Sequence, residues 1–251
     1  MRPEKREKQL KLLRKYYSLN DGIMAVFLGV AEDTAKIINI PVEKIRVIHN
    51  PVVTPELDSL ASIPPEHPWF SDEARVPVIL GIGRLEPQKD FPNLIQAFAR
   101  ARQSTPCRLM ILGEGALRPE LQALADKLGV AGDLAMPGFV NNPYQYMRAA
   151  ALFVLSSRWE GSPNGLTEAL AVGTPVVATD CPNGPYEILQ AGKYGHLVPM
   201  GDAPALAAAM LETLRSPHDA AFLRNGVARY SVENSAREYL AAMGLPEHPP
   251  K

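Results

Sequence analysis

From residue 78 onward, short apolar runs alternate with helix-forming stretches, and this alternation constrains the fold of the chain more than any other feature. VILGIG, RLMIL, ALFVL and PVVAT are strand-like, with DLAMPGF and HLV as weaker members of the series. Between them lie FPNLIQAFARAR, ALRPELQALADKLG, NPYQYMRAA, SPNGLTEALAVG and GPYEILQAG, all of helical character. Strands apolar on both faces need cover on both, and strands separated by helices of about ten to fifteen residues run parallel. The pattern predicts an α/β fold with a doubly wound parallel sheet of six strands over about residues 78–200. A helical tail follows in ALAAAMLETLRSP, DAAFLRNGVARY and VENSAREYLAAMG.

The preceding part differs. RPEKREKQLKLLRK, residues 2–15, holds seven basic and two acidic residues. It reads as a solvated helix, with a strip lying on anionic lipid as the alternative. IMAVFLGV, an amphipathic segment near 31–39 and IRVIHNPVV come next, and Pro51 ends the strand-like run by biasing Asn50 away from helix. Residues 54–77 are rich in proline and charge without periodicity, as in a linker or irregular crossing segment.

Bulk composition excludes several function classes. The 26 basic and 27 acidic residues give a net charge of −1, which removes a strongly basic nucleic-acid binder as the default. Two cysteines without paired spacing, Cys107 and Cys181, argue for a reducing compartment and against a disulfide or zinc framework. No apolar run is long enough to span a membrane, and the charged N-terminus has no signal-peptide core. A cytoplasmic protein is expected.

Chemistry concentrates in WEGSPNGLTEALAVGTPVVATD, residues 159–180. Ser162 suits an N-cap and Pro163 a first helical position; Gly173 and Pro175 then close a helix over about 163–172. Glu160 precedes that helix and Glu168 lies inside it, both at the sheet end where open α/β folds bind ligands. Backbone N–H groups near Asn164, Gly165 and Leu166 would form an anion site, while the two acids would accept hydrogen bonds from hydroxyls. Hydroxyls at both ends and phosphate in the middle describe a nucleotide sugar. In GIGRLEPQKDF, Arg84 and Lys89 follow the first strand and could neutralise a diphosphate. Gly81 and Gly83 begin a dinucleotide fingerprint that Glu86 breaks, and Gly113-Glu114-Gly115 fails similarly, so an NAD-type site is not expected.

WEGSPNGLTEALAVGTPVVATDCPNGP, together with GRLEPQKDFPNLIQAF, resembles the C-terminal half of a retaining glycosyltransferase with the GT-B fold, of the large family four type; the resemblance runs from about residue 20 to 243. It implies that Glu160 contacts the donor hexose and Glu168 the ribose hydroxyls. It also implies that Arg84 and Lys89 hold the diphosphate, and that Gly83, Asn164, Gly165, Leu166 and Thr167 border the phosphate and sugar. Val140, in GFVNN, would read the base through its backbone. No metal and no cofactor are implied, and family habit favours uridine over guanosine. The implied organisation is a remnant of the acceptor-binding domain plus hinge over 1–53 and a linker over 54–77. A nucleotide-sugar-binding Rossmann-like domain over 78–231 and a C-terminal helix and tail over 232–251 complete it. Most of the first domain, roughly 100 to 150 residues, has no counterpart here. The implied partners are a nucleoside-diphosphate sugar and an unidentified acceptor, a glycan or lipid-linked sugar. A peripheral contact with the inner face of a membrane and a partner chain supplying the acceptor domain are the further expectations.

Tyr186 stands where relatives often carry a basic residue. Trp159 is expected to pack beside its loop, Cys107 to sit in the core, and Cys181 to lie at a turn where exposure is open. His49, His67, His196, His218 and His248 show no ligand spacing. Two other readings stand beside transfer: a chain that binds nucleotide sugar but transfers nothing alone, and a glycosidase using Glu160 and Glu168 as its acid pair. The glycosidase ranks last, because it has no use for Arg84, Lys89 and a helix N-terminus.

Overall fold

A computed structural model describes residues 3–17, 19–71 and 76–246. His248, the rest of the expected tail beyond 246 and part of the proline-rich segment lie outside the described residues.

The N-terminal part comprises α1 (Pro3–Tyr17), β1 (Ile23–Ala25), α2 (Leu28–Ile38) and β2 (Ile45–Val47), with β1 and β2 paired in parallel. The proline-rich segment is less irregular than expected. It forms two short helices, α3 (Leu57–Ala61) and α4 (Pro68–Ser71), because Leu57 and Ala61 find burial in the main core. From there the chain builds β3 (Val78–Ile82), α5 (Phe91–Ser104), β4 (Arg108–Leu112), α6 (Arg118–Lys127), β5 (Leu134–Gly138), α7 (Tyr144–Ala149) and β6 (Leu152–Leu155). It continues through α8 (Asn164–Ala171), β7 (Val176–Thr179), α9 (Pro185–Ile188), β8 (His196–Val198), α10 (Ala203–Arg215), α11 (Ala220–Gly226) and α12 (Val232–Ala242).

The six strands β3–β8 form one parallel sheet in the order β5-β4-β3-β6-β7-β8. This is the expected doubly wound α/β sheet, with DLAMPGF and HLV as its two edge strands. Side chains alternate between two cores, as the pleat requires. Leu80, Met110, Phe153 and Ala178 pack on the face covered by α7, α8 and α11, while Ile79, Leu109, Val154 and Val177 pack on the face covered by α5, α6 and α10. The expected helix GPYEILQAG is only one turn, because Gln190 and Ala191 take left-handed backbone at φ 47° and 57°. Chain order reverses between β3 and β6, so their C-terminal ends open a crevice there.

The last helix returns to the hinge. Val53 bridges Ser231 in parallel, and the Ser235 hydroxyl donates to the His49 carbonyl at 2.8 Å.

Candidate functional site

The loops after β3 and β6 are stitched together at that crevice. The Ser156 hydroxyl donates to the Lys89 carbonyl at 2.7 Å, and the Arg158 N–H donates to the Gln88 carbonyl at 2.8 Å. These links bring two expected site residues into contact: Lys89 Nζ lies 2.6 Å from Glu160 Oε1. The Ser157 hydroxyl donates to the same oxygen at 2.6 Å, and the Gln88 amide reaches Oε2 at 3.5 Å. The Glu160 side chain is only 5% exposed, so these donors replace the water its oxygens lose on burial. The Glu160 N–H itself donates to the Pro182 carbonyl at 3.1 Å, fixing the loop against the turn after β7.

Glu168 lies one turn inside α8, half-buried, with the Tyr144 hydroxyl 3.5 Å from its Oε1. Burial raises its pKa above the ordinary carboxylate value, and the Tyr144 hydrogen bond partly offsets this. Tyr144 is pushed up in turn by burial and by the neighbouring carboxylate.

A cleft of about 360 Å³ opens between the ends of β3, β4 and β5, lined by Gly83, Arg84, Gly113, Glu114, Phe139 and Val140 among others. Gly113 is required there: at its φ of 137° a Cβ would strike the Gly83 carbonyl, and the two strand ends could not approach. Arg84 borders the cleft with its guanidinium exposed, 3.1 Å from Glu86.

The start of α8 differs from the expectation. Pro163 takes the cap position with ψ 66°, and no side chain caps the helix. The Ser162 hydroxyl instead donates to Asn164 Oδ1 at 2.6 Å and accepts from the Asn50 amide at 2.8 Å. Two of the three N–H groups expected to await an anion are already used: Asn164 donates to the Ser162 carbonyl and Leu166 to the Pro163 carbonyl, both at 2.9 Å. Leu166 and Thr167 are buried, so only their backbone could face a ligand, while Gly165 sits directly over Phe153. Trp159, expected to pack, is instead 50% exposed. Both cysteines are buried, and burial pushes each thiol up to about 11.

Sequence reasoning did not find Tyr144, Ser157, Gln88 or Asn50. Ser157 stands three residues before Glu160 and could have been inferred from that spacing; Tyr144, Gln88 and Asn50 carry no local signal. His49 has both ring nitrogens near acceptors, Nδ1 at 3.0 Å from the Val26 carbonyl and Nε2 at 3.6 Å from Glu187. Among the described residues no group of three or more His, Cys, Asp or Glu is placed to hold a metal ion, and no helix is long and apolar enough to cross a membrane.

Solved structures share this architecture. The lipopolysaccharide outer core galactosyltransferase WaaB in its apo form superposes with a TM-score of 0.75 at 23% identity, covering 90% of this chain and 62% of that one. Anabaena HepE in complex with UDP and glucose gives 0.76 at 20% identity, covering 94% and 67%. The fold is therefore that of the C-terminal region of GT-B glycosyltransferases. Among curated proteins, an uncharacterized glycosyltransferase of Methanocaldococcus jannaschii is 37% identical over 150 residues, 58% of this chain and 36% of that protein. The Campylobacter jejuni N-acetylgalactosamine-N,N'-diacetylbacillosaminyl-diphospho-undecaprenol 4-alpha-N-acetylgalactosaminyltransferase is 34% identical over 187 residues, 74% of this chain and 49% of that protein. The chain thus spans less than half the length of either relative. The sequence profile of the group 1 glycosyl transferases matches residues 76–216, more than half of the chain. The chain belongs to the group 1 glycosyl transferases.

Proposed function

We propose that this chain is the donor-binding half of a retaining glycosyltransferase. It takes a sugar from a uridine diphosphate and passes it to an acceptor hydroxyl with the anomeric configuration kept. The observation that carries this reading is the buried Lys89–Glu160 pair at the point where strand order reverses, with the Arg84 cleft on one side of it. Lys89 has three N–H donors and spends one on Glu160, which leaves two for diphosphate oxygens. Arg84 and Lys89 offset the charge of the departing diphosphate, the task a divalent ion performs in other transferases. Glu160 accepts from the hexose and Glu168 from the ribose. Gly83 and the backbone of Asn164, Gly165, Leu166 and Thr167 border the phosphate and sugar, and Val140 meets the base. Leaving group and acceptor would meet on the same face of the sugar, the front-face route that the family resemblance implies.

Uridine is favoured by HepE, which shares the fold and is solved with UDP and glucose. A lipid-linked acceptor at the inner face of a membrane is favoured by the Campylobacter relative, whose name places its acceptor on diphospho-undecaprenol. The proposed division is an acceptor-domain remnant with hinge over 1–53, a linker over 54–77, the donor domain over 78–231 and a C-terminal helix and tail over 232–251. A second reading is that the chain transfers sugar only with a partner chain that supplies the acceptor domain. The two-stranded β1–β2 sheet, with Met24 and Leu28 exposed beside it, favours that reading. Transfer by the purified chain alone would eliminate it.

The test is a thermal-shift titration with UDP, GDP and NADH, each with and without EDTA. Ligand at a hundred times its dissociation constant adds about 2.7 kcal/mol, or roughly 5–11 °C for a chain of this size. A metal-independent shift with UDP that Glu168→Ala abolishes is expected. The absence of a shift with any nucleotide would reject the reading.

A further inference from the structure

One wall of the Arg84 cleft carries an ion pair anchored on two strands. Glu114, in the loop after β4, lines the cleft, and Arg118 at the start of α6 grips both of its carboxylate oxygens. Arg118 Nη2 donates to Oε1 at 2.6 Å and Nε to Oε2 at 2.9 Å. The remaining branch, Nη1, donates to the Met136 carbonyl in β5 at 2.9 Å. A two-pronged pair of this kind fixes the plane of the carboxylate as well as its position.

Gly138 shows where that carboxylate rests. Its φ is 97°, and any Cβ there would meet Glu114 Oε1 at 2.8 Å, so the carboxylate lies against the Gly138 α-carbon. Val140, two residues on, lines the same cleft, and the Gly113 N–H holds the two loops in register by donating to the Gly138 carbonyl at 2.8 Å. Despite the grip of Arg118, the Glu114 side chain is 56% exposed. Its two oxygens offer about four lone-pair positions, of which Arg118 uses two. The Arg118 hydrogen bond also holds the Glu114 carboxyl below the ordinary carboxylate value, so at neutral pH the group only accepts.

A fixed acceptor beside a base-sized cleft sorts nucleobases by their ring edge. Uracil presents the N3–H between two carbonyls, and guanine presents the N1–H. Cytosine and adenine carry a lone pair at the same ring position, which a carboxylate opposes. We infer that Glu114 is a specificity-determining residue for the nucleobase: its carboxylate accepts the ring N–H of uracil or guanine and excludes cytosine and adenine. Arg118 acts through Glu114 and is a positioning residue. The inference rests on the reading of this cleft as the base end of the donor site. It adds a side chain to the contact assigned to the Val140 backbone, and a rule for which bases are refused.

The experiment is isothermal titration of the whole chain with UDP, CDP, GDP and ADP, compared within each ring size. Wild type should bind UDP at least about tenfold more tightly than CDP, and GDP more tightly than ADP in the same sense. Glu114→Gln, an isosteric change at an exposed position, can turn either its oxygen or its amide nitrogen to the base. Its preference for UDP over CDP should fall to within about threefold, with the melting temperature unchanged. Arg118→Lys keeps the charge but not the two-pronged grip, and should weaken UDP while leaving CDP as it was. Equal binding of UDP and CDP by wild type overturns the inference and leaves the donor reading standing. A preference that survives Glu114→Gln also overturns it, and assigns the choice to the Val140 backbone. UDP affinity unchanged in Arg118→Lys removes Arg118 from its positioning role. Failure of wild type to bind any of the four nucleotides breaks the donor reading itself.

Discussion

β1, α2 and β2 form one parallel turn of chain around Ala25, Ala31, Ala35 and Ile45, whereas β3, α5 and β4 form another around Ile79, Phe91, Leu94, Phe98 and Leu109. The connectivity is the same and the buried volume is not. Alanine methyls remove little apolar surface from water, and each buried Phe or Leu contributes about 1.5–3 kcal/mol. The smaller unit therefore depends on its attachment. Phe27 and His49 pack on the buried ring of Tyr230, with centroids at 6.1 and 4.8 Å, and Asn50 ties the hinge to the start of α8. Burial pushes the Tyr230 phenol up to about 12, as expected for a ring built into that joint. Parallel topology alone does not make a stable unit; core volume does.

Five measurements test that contrast. Phe153→Ala empties a fully buried site under α8 and should cost about 3–5 kcal/mol across the whole chain. The loss should appear in urea unfolding as a single shifted transition. Lys89→Met leaves the Glu160 charge buried and uncompensated, for a loss of about 3 kcal/mol. Restoration of wild-type stability by pairing it with Glu160→Gln would confirm the charge as the cause. Ile45→Ala should cost about 2 kcal/mol, confined to the small unit. Hydrogen exchange should quicken over residues 23–47 and remain slow in β3–β7; a uniform loss would show that the two regions unfold as one. Asn50→Ala removes the amide link to Ser162, costing about 1 kcal/mol, and should accelerate exchange at the hinge before it lowers the melting temperature.

The smallest effect is a pH dependence at Glu168. Its folded-state pKa lies above the unfolded value, because burial disfavours the charge. The folded state then binds the proton more tightly, so stability falls as pH rises through the carboxylate range and the cost is complete above the folded pKa. Glu168→Gln should melt higher than wild type at pH 7, with the difference closing as pH falls below the ordinary carboxylate value. A difference that widened in acid would reverse the sign and reject burial as the cause.

The alternation of apolar runs with helices was sufficient to determine the six parallel strands. It also placed Arg84, Lys89, Glu160 and Glu168 at one end of the sheet, because in a parallel sheet every loop after a strand emerges on the same side. The start of α8 was legible to within a residue, yet its cap was not, since Ser162 turns to Asn50, a partner 112 residues away. Local patterns carry periodicity and turn chemistry, and these are the properties that a short stretch of chain can express by itself.

Only the tertiary structure decided which of those residues touch. Lys89 and Glu160 are separated by 71 residues, and Ser235 and His49 by 186. Their contacts arise where packed strands and helices bring loops together, so no local pattern encodes them. The same is true of the cleft at the ends of β3, β4 and β5. Arg84 and Glu114 line it from two different loops and Val140 from a third, and they share one cleft because β3, β4 and β5 pair side by side.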